Sequence, residues 1–241
     1  MKIKLGIDIR MIRHTGIGTY IRELMEALYR QGTLKQMDAA VFGTHAHAAA
    51  LKGIRRKPFY SRIYSVEEQL EYPLRLSQCE VWHSPHYNIP LVKGNTRLIV
   101  TIHDLIHWIF RNEFFNSLQG FYAGAMLRKA ITQADHIITV SHRTREDILE
   151  YFDADPEKVT VIHEGVGERF RPLPVAAIET IRKKYRLPER YFLYVGSIKP
   201  HKNILMLILA YRRLFAEKKV VSPLVLVGRK DRHYPGAYKE L

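Results

Sequence analysis

Short apolar runs alternate with stretches of helical periodicity along most of this 241-residue chain. Ile3–Ile9, Ala39–Phe42, Glu80–His83, Leu98–Ile102, His136–Val140 and Val159–Ile162 read as strands. Between them Ile17, Tyr20, Ile21, Leu24 and Leu28 fall at helical spacing, ending near Gly32. Val66–Leu76, Ser117–Thr132 and Thr144–Phe152 read as further helices. Ser141 is the expected N-cap of the last of these, with Glu or Asp expected in its first turn, where the helix dipole favours negative charge. Such alternation predicts an α/β fold, a mostly parallel sheet with helices on both faces.

The pattern lapses between Gly167 and Pro188, where RFRPLP reads as a linker followed by a polar helix through Lys184. A second strand–turn–helix series opens at Tyr191 and closes with Pro223–Val227 and Gly228. A boundary near Phe170–Pro174 is expected, giving one domain over residues 1–172 and a second over 173–241. The first is expected to be complete, and the second to be only the opening part of its domain.

Composition excludes several classes. Cys79 is the single cysteine, so no disulfide framework and no cysteine-built metal site is expected. The N-terminal apolar run is too short for a signal peptide, and no run approaches the roughly 18 apolar residues that span a bilayer. A cytoplasmic protein, or one peripheral at the inner face of the membrane, is expected. The net charge of +14 is uneven: residues 1–168 carry about +2 and residues 169–241 about +12. A basic segment attracts polyanions such as nucleotide diphosphates or anionic lipid, or it is simply a solvated face. No nucleic-acid recognition motif is visible, and no nucleic-acid partner is expected.

Four places carry candidate chemistry. His14-Thr15-Gly16-Ile17-Gly18 joins the first strand to the first helix. Gly16 and Gly18 there allow close approach of a ligand, and the helix N-terminus offers amides to an anion. A dinucleotide fingerprint wants a third glycine at position 21, which is Ile, and an acidic residue after the second strand, where Phe42-Gly43-Thr44-His45 has none. NAD is therefore disfavoured, and a sugar or diphosphate stays open beside a plain tight turn. His103-Asp104 ends the most apolar strand, at the edge where ligands of open α/β sheets collect; the neighbouring Asp104 carboxylate is expected to orient His103. His83 and His86, in WHSPHYNIP, are expected to line the same crevice, with no metal among these histidines.

Lys202, with Lys199 and His201, opens the helix that follows Gly196 and Ser197, a position suited to neutralising a pyrophosphate. Lys199 reads as a surface residue. Glu164-Gly165-Val166 follows a strand, with Gly165 expected in a turn, and Glu164 and Gly165 are expected either to touch a ligand at the interdomain cleft or to form a plain structural turn. The segment LKGIRRKPFYSR, residues 51–62, reads as a loop. It either meets an anionic membrane surface or is solvated, and solvation is the preferred expectation.

Taken in order, GIDIRMIRHTGIGTYIREL, EQLEYPL, VWHSPHYNIPL, LIVTIHDLIHW, ADHIITVSHRTREDIL, KVTVIHEGV, RFRP and YFLYVGSIKPHKN resemble glycosyltransferase family 4 over essentially the whole chain. These are retaining GT-B enzymes, and the likeness is strongest to mannosyltransferase-like members. The resemblance implies two Rossmann-like domains facing across a cleft, with acceptor on the first and nucleotide sugar on the second. It implies that Gly16 and Gly18 lie against the donor's diphosphate and reacting sugar, that His103 contacts the transferred sugar, and that Lys202 pairs with the diphosphate. The family's usual Arg is replaced by Ser197, and its paired-glutamate element lies beyond the last residue of this chain. The expected activity is transfer of a hexose, mannose or another, from a nucleotide-diphosphate sugar to a glycan or lipid-linked acceptor. No cofactor beyond that donor substrate is implied. This polypeptide alone is expected to be inactive or weak. The alternative is a non-catalytic acceptor-binding module that needs a partner polypeptide.

Overall fold

A computed structural model describes residues 2–44, 51, 53–110 and 117–228. The chain divides into two compact units, Met1–Gly167 and Glu168–Leu241. In the first, seven strands form one parallel sheet: β1 (Lys4–Asp8), β2 (Asp38–Phe42), β3 (Arg55–Lys57), β4 (Val81–Ser84), β5 (Arg97–Ile102), β6 (His136–Thr139) and β7 (Val159–Val161). Their spatial order is β3-β2-β1-β4-β5-β6-β7. The chain runs outward from β1 to β3, then returns to the other side of β1 with β4. The β1/β4 junction is thus the point where strand order reverses, the place where open α/β sheets part their connecting loops and bind ligands.

The helices of this unit are α1 (Gly16–Arg30), α2 (Thr33–Gln36), α3 (Val66–Leu76), α4 (Ile106–Ile109), α5 (Ser117–Gln133) and α6 (His142–Phe152). Alternation along the strands sorts the core into two layers. Ala40 and Phe42 of β2 pack with Trp82, Tyr72, Phe59 and Leu98 on one face. Val41 packs with Ile7, Ile21 and Met25 on the other. Gly6 lets β1 pass close to β4, since a Cβ there would fall 2.6 Å from Cys79 Sγ and 2.8 Å from Trp82.

Two local expectations are corrected. Residues 51–62 are not one loop, because Arg55–Lys57 pairs with β2 as an edge strand. Three consecutive cations hide it from a search for apolar alternation, yet charge is what an outermost strand uses to discourage further pairing. Those cations already have partners: Arg55 with Asp38 at 2.5 Å, Arg56 with the Leu51 carbonyl at 2.7 Å and Lys57 with Gln78 at 2.7 Å. The second correction concerns α6. Ser141 caps it as expected, accepting the Thr144 N–H at 3.1 Å. The helix starts at His142, however, so its first turn holds no acidic residue. Asp147 lies one turn later, paired with Arg143 at 2.6 Å.

The second unit contains α7 (Val175–Tyr185), β8 (Phe192–Val195), a 3-10 turn (Pro200–Lys202), α8 (Ile204–Ala216) and β9 (Leu224–Val227). Strands β8 and β9 are parallel, and Ile198, Ile204 and Ile208 form their small core with Tyr194 and Leu226. Phe192, Leu193, Val195, Met206, Leu207 and Leu209 are exposed. Among the described residues no helix is long and apolar enough to cross a membrane.

Candidate functional site

Three connections leave the carboxyl edge of the sheet near the β1/β4 junction, and they carry most of the polar residues expected to bind a ligand. After β1 the chain tightens through backbone bonds from Ile12 N to Ile9 O (2.9 Å) and from His14 N to Met11 O (2.8 Å), then enters α1. The two glycines of that entry have different jobs. Gly18 is buried against this turn, and a Cβ on it would fall 2.3 Å from the Ile12 carbonyl oxygen. It is needed for packing. Gly16 has nothing within 4 Å of such a Cβ, so its open face is toward solvent.

After β4 and β5 come the histidines. His83 is buried in β4 and its Nε2 bonds Thr101 Oγ1 of β5 at 2.9 Å. Thr101 also bonds the Tyr20 hydroxyl of α1 at 3.1 Å. The Tyr20 ring stands edge-on to His103, centroids 5.0 Å apart, and to His83 at 6.5 Å. One tyrosine from α1 therefore braces both imidazoles. His103 Nε2 donates to the Pro85 carbonyl at 3.0 Å, while its Nδ1 lies 3.3 Å from Glu164 Oε1. His86 is buried, and its Nδ1 accepts the Asn88 N–H at 3.2 Å.

Burial sets the protonation of this group. It pulls His83 down to about 4 and His86 to about 3, with the nearby His103 adding to both. Both are neutral near pH 7. Burial also raises Tyr20, and pushes Tyr87 up to about 12. Among the described residues no cluster of three His, Cys, Asp or Glu side chains is arranged to hold a metal ion.

The carboxylate that meets His103 is Glu164, where Asp104 was expected. Asp104 Oδ1 instead accepts the Ile106 N–H at 3.1 Å, at the start of the short α4. Gly165, beside Glu164, is exposed in irregular backbone. Residues 162–167 run as irregular backbone with no turn among them, where a turn at Gly165 was expected.

A cavity opens at the β1/β4 junction itself, and most of its polar wall is missing from the sequence reading. Asp8, Arg10, Ser84, His86 and Asn88 line it, together with Met11, Ile63 and Pro85. Beneath it lies a buried charge network. Arg10 pairs with Asp8 at 2.7 Å and with Glu68 of α3 at 2.9 Å, and donates to the Tyr72 hydroxyl at 2.8 Å. The guanidinium lies 3.6 Å above the Phe59 ring. Asn88 Nδ2 donates to both Glu68 oxygens, at 2.9 and 3.0 Å. Burial pulls Arg10 down, but Asp8, Tyr72 and Glu68 outweigh it and hold the guanidinium above its ordinary value. Burial likewise raises Tyr72. The available signal was the pair of charges, Asp8 and Arg10, set within the apolar run Ile7–Ile12.

The second unit holds the remaining expected residues. Lys202 is exposed at the end of the 3-10 turn, and its N–H donates to Lys199 O at 3.0 Å. The Ser197 carbonyl accepts the Tyr194 hydroxyl at 3.0 Å. Asn203 precedes α8 with φ of 51° and no side-chain cap.

The family model described as Glycosyltransferase Family 4 matches residues 14–169, from the Gly16/Gly18 turn past Glu164. The chain belongs to that family. Its similar relatives include the O-antigen chain mannosyltransferase RfbU of Salmonella typhimurium, 28% identical over 184 residues, which are 75% of this chain and 45% of that protein. O-antigen chain mannosyltransferase B of Escherichia coli is 27% identical over 248 residues, 95% of this chain and 64% of that protein. This family member therefore spans less than two thirds of the length of either relative. Among solved structures, Anabaena Alr3699/HepE in complex with UDP and glucose superposes with a TM-score of 0.68 at 17% identity, over 99% of this chain and 64% of that one. At that identity the likeness concerns fold, and the fold is that of the GT-B glycosyltransferases.

Proposed function

We propose that this chain supplies the acceptor-side unit, and at least the start of the donor-side unit, of a retaining glycosyltransferase. The reaction moves a hexose, mannose in the first instance, from a nucleotide-diphosphate sugar to a hydroxyl of a glycan or lipid-linked acceptor. The observation that carries this reading is the gathering of His83, His86 and His103 at the carboxyl edge beside the β1/β4 reversal, in a chain whose family model spans them. Relatives named as O-antigen mannosyltransferases favour mannose.

The roles follow from chemistry. As the glycosidic bond to the diphosphate breaks, negative charge builds on the departing phosphate oxygens, and cations or amides placed there lower the barrier. Lys202 is the proposed counter-charge. Helix α1 is the proposed dipole partner, having no side-chain cap at Thr15 and no acidic residue in its first turn. Gly16 keeps that end open. His103, held by Pro85 and Glu164, is proposed to hydrogen-bond the transferred sugar.

A thermal-shift screen of the 241-residue chain against UDP-, GDP- and ADP-sugars tests the reading for donor binding, and transfer of labelled hexose to a glycan acceptor is expected to be weak or absent with this polypeptide alone. One donor base is expected to stabilise the chain, by about 2.7 kcal/mol at a hundredfold excess over Kd. Indifference to every nucleotide sugar at millimolar concentration contradicts it. The alternative of a non-catalytic acceptor module is favoured by one observation, the exposed apolar side chains of β8 and α8. Sugar binding by the first unit with no response to any donor would single it out.

A further inference from the structure

The cavity at the β1/β4 junction has an unusual balance of charge. Arg10 is the one cation among its lining residues, and all five of its N–H groups are engaged. Nε donates to Asp8. Nη1 donates to the Ser61 carbonyl and Glu68, and Nη2 to Asp8 and Tyr72. A guanidinium has five donors and no more, so this one has none left for a phosphate or carboxylate. Against it stand two buried carboxylates, Asp8 and Glu68, which leaves the network negative by one charge. His86 adds no compensation, because burial keeps it neutral near pH 7.

What the wall does offer suits a hydroxyl. Ser84 accepts the Trp82 indole N–H at 3.1 Å, and its own O–H is left to donate. His86 uses Nδ1 as an acceptor, which puts the ring proton on Nε2, 3.5 Å from the Tyr64 hydroxyl. Met11 and Ile63 supply apolar surface alongside. We infer that this cavity receives a single hydroxyl group without negative charge, so that the end of the acceptor seated here is a neutral or amine-bearing part of a sugar and not a phosphorylated or uronic one. The inference rests on the acceptor-side reading proposed above. It adds a charge rule written into the sheet edge: an anion entering here would be desolvated beside Asp8 with no donor cation to meet it.

Three matched methyl hexosides test it on the full chain by NMR titration at fixed ionic strength: one with its hydroxymethyl group intact, one carrying an amine there and one a phosphate ester. The neutral and amino forms should bind and shift the amides of residues 84–88. The phosphate ester should bind at least about tenfold more weakly. Equal or tighter binding of the ester overturns the inference, as does a response confined to other residues or none to any probe. Ile63→Lys places a cation on the cavity wall and should narrow the gap between neutral and ester forms, and an unchanged gap in a folded variant also contradicts the rule. If that variant fails to fold, the wild-type comparison still decides. Donor stabilisation is read separately: equal ester binding with that stabilisation intact sinks the charge rule and leaves the transferase reading standing.

Discussion

His103 Nδ1 stands 3.3 Å from Glu164 Oε1, although the two residues leave the sheet from strands separated by β6. Nε2 donates to the Pro85 carbonyl and half-exposed Glu164 flanks Nδ1, so the imidazole is oriented from both sides and Nδ1 is the ring nitrogen open to a ligand that displaces the Glu164 side chain. Glu164 is half-exposed, so its removal should leave the fold intact. His103→Ala is expected to weaken binding of a hexose ligand about five- to tenfold, the worth of roughly one hydrogen bond. Glu164→Gln, which keeps a polar group facing the ring, should cost less. Isothermal titration with both variants checks the order, and equal affinity of wild type and His103→Ala would remove this histidine from the site.

Gly16 and Gly18 should separate cleanly under mutation. Gly18→Ala drives a methyl group into the Ile12 carbonyl, and a loss of about 3 kcal/mol is expected in chemical denaturation. Gly16→Ala meets no atom and replaces glycine in a helix, so stability should hold or rise by up to ~1 kcal/mol. If Gly16 faces the donor, that same variant should lower nucleotide-sugar affinity. Loss of stability in Gly16→Ala, or tolerance of Gly18→Ala, would contradict the division.

Acid should weaken the first unit through its buried histidines. His83 is held near 4 and His86 near 3, below the ordinary 6.5, so between those values the unfolded chain binds more protons than the folded one. Their contribution is full above about pH 6.5 and is lost as pH falls toward 4. For His83 alone the loss near pH 4 is ~3 kcal/mol. Denaturation midpoints of wild type and His83→Gln across this window should converge on acidification, and parallel curves would be the opposing result.

Arg10 is expected to be structurally indispensable. Arg10→Met leaves Asp8 and Glu68 buried together without their counter-charge, a loss of about 3–5 kcal/mol. Urea unfolding measures it directly. A change under ~1 kcal/mol would mean that the network relaxes into water.

Lys202→Ala tests the other unit. Lys202 is exposed, so stability should be unchanged, while loss of a charge-assisted bond should weaken donor binding about tenfold or more. Unaltered donor affinity would take Lys202 out of the diphosphate site.

Periodicity made the sheet legible. Strands such as Leu98–Ile102 announce themselves because parallel strands are apolar on both faces, and Ser141 announced α6 through capping chemistry. β3 did not, since an edge strand of Arg55, Arg56 and Lys57 has no apolar pattern to read. Histidines at strand ends were visible as chemistry out of place. The pairing of His103 with Glu164 was not, because only the folded sheet brings position 164 to position 103. Asp104, adjacent in sequence, was the natural but mistaken choice. The Arg10 network escaped for the same reason: Glu68, Tyr72 and Asn88 come from α3 and the loop after β4.

The central claim is that a sugar binds at the carboxyl edge around the β1/β4 junction, where His86, Ser84 and His103 stand. Hydrogen exchange of the full chain with and without a saturating neutral hexoside measures it most directly. Slowed exchange concentrated in residues 83–88 and 101–104 is the predicted result, and protection that falls elsewhere, or that is absent at saturation, would contradict it.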